Sequence, residues 1–296
     1  MTLEGLRHFI GSISYFPDGQ RMISGSDDKT TRQWDLKEGK EIEEVRDVCE
    51  ERVRAVAVSS DSRWIVTGGG NWDVLDSAEL KVCEVEMGTT KKLQGHSDVI
   101  NCIDISADNM QLASGSDDRT ARIWNLETGK LVAAKKTILT PSMTLKGHGG
   151  YIESMSYFPD GQRMISGSND KTARQWDLKT GKEIEGAQGH GNWIQSMSYF
   201  PDGQRMISGS DDKTARQWDL KEGKETEEGW DGCENVWAVA VSRDGRWIVT
   251  GGGPDGYFNS GELKVCEVET GTVKKLQGHS RRISCLDVSA LGWPPC

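Results

Sequence analysis

The chain has 296 residues, 35% hydrophobic and 28% charged, with a formal net charge of −10. That length suits one large all-β domain or two smaller ones, and the acidic balance works against binding a phosphate backbone, so no nucleic-acid partner is expected. No apolar run approaches the ~18 residues of a membrane helix, and Met1-Thr2-Leu3-Glu4-Gly5-Leu6-Arg7-His8 lacks the layout of a secretory signal, so no membrane partner is expected and an intracellular setting is, cytoplasmic with the nucleus left open. In chain order, the first recognisable unit is Tyr15 to Lys37, YFPDGQRMISGSDDKTTRQWDLK. A second kind begins at Arg63 with RWIVTGGG and continues into ELKVCEVE, and a third begins at Lys92 with KLQGHS. The first kind returns at Tyr157 to Lys179, changed only at Asn169 and Ala173, and at Tyr199 to Lys221, changed only at Ala215. The second kind returns at Arg246 and the third at Lys275. Labelled by type, the order is A-B-C-A-A-B-C, with the last C cut short.

Within a unit the periodicity is that of strands. Residues Ile152 to Tyr157 alternate, Pro159-Asp160-Gly161 turns, Arg163 to Ser166 is a second strand, and Asn169-Asp170-Lys171 turns again. Thr172 to Trp176 is a third strand, and Thr180-Gly181-Lys182 leads into a fourth. Four short strands at this spacing form a propeller blade, and one such sheet cannot cover both of its faces alone. The blades must therefore fold as a stacked set.

The chain resembles the WD40-repeat family. The residues that carry the likeness are Gly-His at 95–96, 147–148, 189–190 and 278–279, and Trp-Asp at 34–35, 176–177 and 218–219, with Trp124-Asn125 close to the pattern. The resemblance covers essentially the whole chain and implies a WD40-type β-propeller, one domain over residues 1–296. It implies six complete four-stranded blades plus an incomplete seventh, with an outer strand from residues 1–5 and an inner strand from 282–289. A third strand of that last blade would fall beyond Cys296, so the sequence reads as a truncated version of a longer protein or as an open ring. Open edges would favour self-association.

Three sets recur at fixed offsets: His96, Ser114, Asp118 and Trp124; His148, Ser166, Asp170 and Trp176; His190, Ser208, Asp212 and Trp218. Ser, His and Asp together invite a hydrolase reading. A nucleophile needs a unique exposed position, however, and a motif repeated in three blades is better suited to structure. The resemblance implies a buried hydrogen-bond chain that ties the loop before the first strand to the third strand. No catalytic residue, metal site or cofactor is expected, and the chain is not expected to be an enzyme. Leu6, Cys49 and Gly232 stand where blades 1, 2 and 6 should carry His, so blades 2 and 6, which also lack the Trp, are expected to open first. The runs Gly68-Gly69-Gly70 and Gly251-Gly252-Gly253 lack the Gly-Lys-Ser/Thr of a phosphate loop, and freeing the backbone before a long turn is their simplest role. Seven unpatterned cysteines read as small buried hydrophobes.

If the family layout holds, a partner would sit where the loop before the first strand meets the turn between the second and third. At the start of the first strands the sequence places Phe9, Arg52, Arg54, Asn101, Tyr151, Glu153, Trp193, Gln195, Trp237 and Arg282. Loop insertions in blades 2 and 6 add Trp72 and Tyr257 with Phe258. Near-identical scaffolds with varied, aromatic tips suit a recognition surface. The expected function is a scaffold holding a protein or peptide partner, for which the acidic charge would suit a basic segment. A glycan- or small-ligand-binding propeller, and the sensor tail of a larger signalling protein, are the alternatives.

Overall fold

The computed structural model describes residues 8–42, 50–74, 77–126, 140–222, 224–226, 230–231, 233, 235–254, 261–276, 279 and 283–287. Among them every regular element is a strand. The chain divides into two compact units, Met1–Gly147 and His148–Cys296. The first holds three blades: β1 to β4 (Ile10–Tyr15, Arg21–Ser26, Thr31–Asp35, Lys40–Ile42), β5 to β8 (Val53–Val58, Trp64–Gly69, Glu79–Glu84, Thr89–Leu93) and β9 to β12 (Ile100–Ile105, Gln111–Ser116, Thr120–Asn125, Met143–Lys146).

The second unit also holds three. Blade 4 is β13 to β16 (Ile152–Tyr157, Arg163–Ser168, Thr172–Asp177, Lys182–Gln188), and blade 5 is β17 to β20 (Ile194–Tyr199, Arg205–Ser210, Thr214–Asp219, Lys224–Glu225) with β21 (Trp230–Asp231) also paired to β19. Blade 6 is β22 to β25 (Val236–Val241, Trp247–Gly252, Glu262–Glu267, Val273–Leu276). Each blade is an antiparallel meander in chain order. The positions assigned from sequence to the outer strand at residues 1–5, to Arg282 and to residues 288–289 lie outside the described residues.

The second strand of every blade is its most buried: Arg163–Ser168 shows one half-buried residue and five buried. Its central glycine explains how neighbouring blades meet. A Cβ on Gly167 would lie 2.7 Å from Ile194 of the next blade, one on Gly25 2.5 Å from Val53, and one on Gly209 2.6 Å from Val236. These approaches are shorter than any side chain tolerates, so glycine is the hollow into which the next blade's first strand seats its β-branched knob. The knobs and hollows close apolar cores between blades. Phe158, Ile165, Met206 and Trp218 gather with Ile194 and Met197 in one, and Trp64, Leu80, Ile100 and Trp124 share another. At about 25 cal/mol per Å², such burial is the main favourable term for docking one blade on the next. Hydrogen bonds set the register: Ser154 Oγ accepts from Met197 N (3.0 Å) and Ser196 Oγ from Val239 N (3.1 Å).

The last glycine of each run, Gly70 and Gly253, leaves the strand at a φ of 156° and 154° and opens the following loop as the sequence suggested, but the first two have a different role. Gly68, Gly69, Gly251 and Gly252 lie inside the second strands rather than in the turns that follow. A Cβ at Gly69 or Gly252 would collide with the carbonyl oxygen of Arg52 or Asn235, at 1.8 and 1.6 Å. Close approach of backbone to backbone demands the glycine there. After blade 6, residues 283–287, expected within an inner strand, form none, yet buried Ile283 still seats on Gly251, whose Cβ would come within 2.7 Å of it. Of the described cysteines, Cys233 and Cys266 are buried while Cys83, Cys102 and Cys285 are only half-buried, and all five are free thiols. No helix among the described residues is long and apolar enough to cross a membrane.

Candidate functional site: the loop end of the blades

The recurring polar sets come together in blades 3, 4 and 5. In blade 4, His148 Nδ1 lies 2.9 Å from Asp170 Oδ2 and Nε2 lies 2.8 Å from Ser166 Oγ, which also accepts from Trp176 Nε1 at 2.8 Å. Blade 5 repeats the chain through His190, Asp212, Ser208 and Trp218 at 2.7–2.8 Å. Blade 3 repeats it through His96, Asp118, Ser114 and Trp124 at 2.7–2.9 Å. Blade 1 keeps the last link, Trp34 Nε1 to Ser24 Oγ at 2.8 Å; Leu6, Cys49 and Gly232 lie outside the described residues.

Local turn chemistry aims the Asp. Asp170 Oδ1 accepts from Thr172 N and Oγ1 (3.0 and 2.6 Å), which wraps the turn and holds Lys171 at a left-handed φ of 71°. Its other oxygen is left for His148 and for the amide of Gly149 at 2.8 Å. Burial pushes the three carboxyls up but is outweighed by hydrogen bonds from Thr and His and by backbone amides, so Asp118, Asp170 and Asp212 are each lowered to about 2. Burial also pushes His148 and His190 below the ordinary imidazole value, against the pull of their carboxylates. A neutral ring that donates Nδ1–H to Asp and accepts Ser O–H at Nε2 satisfies every atom. Ser114, Ser166 and Ser208 have no exposed surface, so no substrate carbonyl can reach them; what the chain does is fasten loop to strand.

Blade 2 fastens the same joint with a pair that the sequence reading overlooked, and blade 6 carries the same pair of residues. Glu79 occupies the strand position of Thr120 and is 3% exposed. Its Oε2 accepts from the amides of Glu50 and Glu51 (2.8 and 3.0 Å), the loop that elsewhere carries His. Buried Lys81 lies 2.9 Å from Glu79 Oε1, with Lys92 at 3.7 Å. These contacts hold the carboxyl below its ordinary value although burial pushes it up. In blade 6, Glu262 pairs with Lys275 at 2.6 Å and Lys264 at 3.9 Å, while Cys233 Sγ reaches the Glu262 carbonyl at 3.3 Å. The signal was present as Glu-Leu-Lys-Val-Cys-Glu in both B units.

These joints fix the loop end. In every blade the first amide after the second strand, or the next one, donates to the carbonyl of the residue before the first strand: Asp27 to Phe9, Gly70 to Arg52, Asp117 to Val99, Asn169 to Tyr151, Asp211 to Trp193, Gly253 to Asn235, at 2.9–3.2 Å. The ladder between first and second strands skips one residue in each blade, at Gly11, Arg54, Asn101, Glu153, Gln195 and Trp237. These are the varied tip positions, and each sits at a β-bulge, which re-aims a side chain out of the ladder.

The side chains they present differ by unit. In the second, Tyr151 and Trp193 are exposed at 44% and 47%, Glu153 is half-buried, and Asp211 accepts from Gln195 Nε2 (2.9 Å) and Trp237 Nε1 (2.8 Å). In the first, Phe9 is half-buried, Asn101 bridges Arg54 Nη1 (3.0 Å) to Asp117 Oδ1 (2.7 Å), and Trp72 folds back over its own blade onto Arg52 and Arg54. Asp117 and Asp211 are thus engaged inside the protein, and burial raises the Asp117 carboxyl despite the bond from Asn101. Tyr257, Phe258 and Arg282 lie outside the described residues.

The sequence profile of the WD domain, G-beta repeat, matches residues 1–35, 45–74, 88–125, 139–177, 181–219 and 225–258. Among similar proteins, nuclear distribution protein nudF of Emericella nidulans is 30% identical over 204 residues, 60% of this chain and 41% of that protein. The small ribosomal subunit protein RACK1 of Drosophila melanogaster is 30% identical over 184 residues, 62% of this chain and 53% of that protein. The guanine nucleotide-binding protein subunit beta of Oryza sativa subsp. japonica is 28% identical over 184 residues, 62% of this chain and 35% of that protein. The chain's matches thus span about half or less of these relatives. The six matched repeats take in most of the chain, one to a blade, and from the third on each begins on the last strand of the blade before: the chain belongs to the WD40-repeat family.

Proposed function

We propose that the chain is a protein-binding scaffold that takes its partner on the loop end of its blades. The observation that carries this reading is the pair Tyr151 and Trp193, two large exposed aromatics on tips anchored by backbone hydrogen bonds and buried polar chains. Exposed aromatics on a rigid base lose little freedom on binding and commonly anchor interfaces. Relatives whose names place them in a ribosomal subunit and a G protein support a protein partner over a glycan. Between these aromatics in sequence the tip residue Glu153 is acidic, which favours a basic segment at this unit. A cytoplasmic setting accords with the same relatives.

A displayed peptide library and a glycan array, screened in parallel with the intact chain, test the reading. Peptides should be selected, and Tyr151→Ala with Trp193→Ala should weaken them about thirtyfold, the equivalent of roughly 2 kcal/mol at a hot spot. Ligands found on the glycan array alone, or peptides indifferent to both substitutions, would overturn it.

A further inference from the structure

Among the described tips, blade 2 alone presents a pair of basic side chains. The matching pairs elsewhere are Phe9 with Gly11, Val99 with Asn101, Tyr151 with Glu153, Trp193 with Gln195 and Asn235 with Trp237. Here they are Arg52 and Arg54, and both guanidinium carbons lie over the ring of Trp72, at 5.0 and 4.3 Å. The indole itself remains 47% exposed. The loop that brings it there is pinned at its base, where Ser77 Oγ accepts from Asn71 N (2.7 Å) and donates to Asn71 O (2.6 Å).

The local chemistry is opposite in sign to the molecule's net charge of −10. Two guanidinium ions held against one indole repel each other, and the ring's negative faces offset part of that cost. The carboxylates close by do little more. Asp73 lies 3.9 Å from Arg52 and is 80% exposed, so it is a weak, solvated partner. Asp117 reaches Arg54 only through Asn101, which accepts from Arg54 Nη1 and donates to Asp117, and its charge offsets part of that of Arg54. Arg54 gives one Nη1 bond to Asn101, and the other N–H groups of a guanidinium beside a ring match the oxygens of a carboxylate or phosphate. Stacking also fixes two long side chains in advance, so less freedom is lost when an anion arrives.

We propose that Arg52, Arg54 and Trp72 form an anion-recognition site for an acidic segment of a partner protein, whose anionic groups are carboxylates or phosphates. The proposal rests on the reading of the loop end as a protein-binding surface and assigns the sign of the partner at blade 2. Arg54 sits at the bulge and Arg52 just before the strand, so the scaffold aims both. A cationic segment is repelled here and suits the Tyr151–Trp193 tips instead.

The test is fluorescence anisotropy on the full chain with three labelled peptides of equal length: oligoglutamate, an alanine peptide bearing two phosphoserines, and oligolysine. At low salt one or both anionic peptides should bind, and Arg52→Gln with Arg54→Gln should weaken them at least about tenfold, as expected for charged anchors. Trp72→Ala should weaken them by a smaller factor, and Trp193→Ala should leave them unchanged. If the Gln pair lowers the melting temperature, the Lys pair keeps the charge but loses the fork and the stacking, and a partial loss of affinity supports the proposal. Binding of oligoglutamate assigns carboxylates as the ligand, and binding of the phosphopeptide alone assigns phosphates. The proposal is overturned if neither anionic peptide binds, or if binding is indifferent to both the Gln and the Lys pairs. Retained capture through Tyr151 and Trp193 in that case would leave the broader scaffold reading standing; loss of both would remove it as well.

Discussion

Blades 4 and 2 solve one mechanical problem with two chemistries. In blade 4 a neutral imidazole links Asp170 to Ser166 and Trp176, and the loop hangs from the chain through Gly149 N. In blade 2 an ionised Glu79 holds the loop amides of Glu50 and Glu51 directly, with buried Lys81 balancing its charge. The first arrangement spreads its worth over several neutral and charge-assisted hydrogen bonds of about 0.5–3 kcal/mol each. The second concentrates it in one buried carboxylate and its lysines, a cluster that is costly to bury and more costly to break. A loop can therefore be fixed by joints that fail in different ways.

The largest expected effect comes from breaking the concentrated joint. Glu79→Ala strands Lys81, which is 8% exposed, and leaves two loop amides without an acceptor. Urea unfolding should show a loss of roughly 3–5 kcal/mol; a loss under about 1 kcal/mol would mean that Glu50, whose carboxylate lies 3.7 Å from Lys81, and water compensate and that the Glu79 pair is not the fastening.

A smaller and more selective effect should follow acidification. The folded-state values of His148 and His190 lie below the reference of 6.5, so the unfolded chain binds protons more readily and stability falls as pH drops through that value. Asp118, Asp170 and Asp212 add a second loss between their reference of 3.8 and about 2. Amide exchange followed from about pH 7.5 to about pH 5.5 and corrected for intrinsic rates should show protection in β14 and β18 falling while β6, whose joint has no His, keeps its own. Parallel losses in all three strands would dissolve the distinction between the two joints.

The smallest change trims one link. Trp176→Phe keeps the packed ring but removes the donor to Ser166, and should cost about 1 kcal/mol. The same replacement has no counterpart in blade 2, where Cys83 stands at that position. A neutral result would place the strength of blade 4 in its Asp–His link alone.

Much of this was readable in advance, and the parts that were not share a cause. Strands such as Ile152–Tyr157 and the Asp170–Lys171 turn follow from local alternation and turn chemistry, and near-identical copies removed ambiguity. The offset from His148 to Asp170 could be matched to a family pattern. By contrast, Glu79 and Lys81 alternate in a strand like any solvated charged pair, and only the loop that covers them makes them buried. The expectation that blades 2 and 6 are the loose ones came from counting missing His and Trp, without seeing what replaces them; blade 6, whose Glu262 side chain is 17% exposed against 4% for Glu79, has the more open version. Whether Trp72 folds back over its own blade was not legible, because its contact with Arg52 and Arg54 joins two separate segments of the chain. The bulges at Arg54, Glu153 and Trp237 were invisible because a one-residue skip in pairing leaves no mark on composition.

The hollow at the central glycine of the second strand has an evolutionary consequence. Gly167 receives Ile194 and Met197 from an A-type neighbour, and Gly209, in an identical setting, receives Val236 and Val239 from a B-type one. A brick whose outgoing face accepts either kind of successor can be copied in line by unequal recombination without a new joint having to be invented. The A-A step between blades 4 and 5, set against the A-B steps on either side of it in the sequence, is what such a copying event would leave behind.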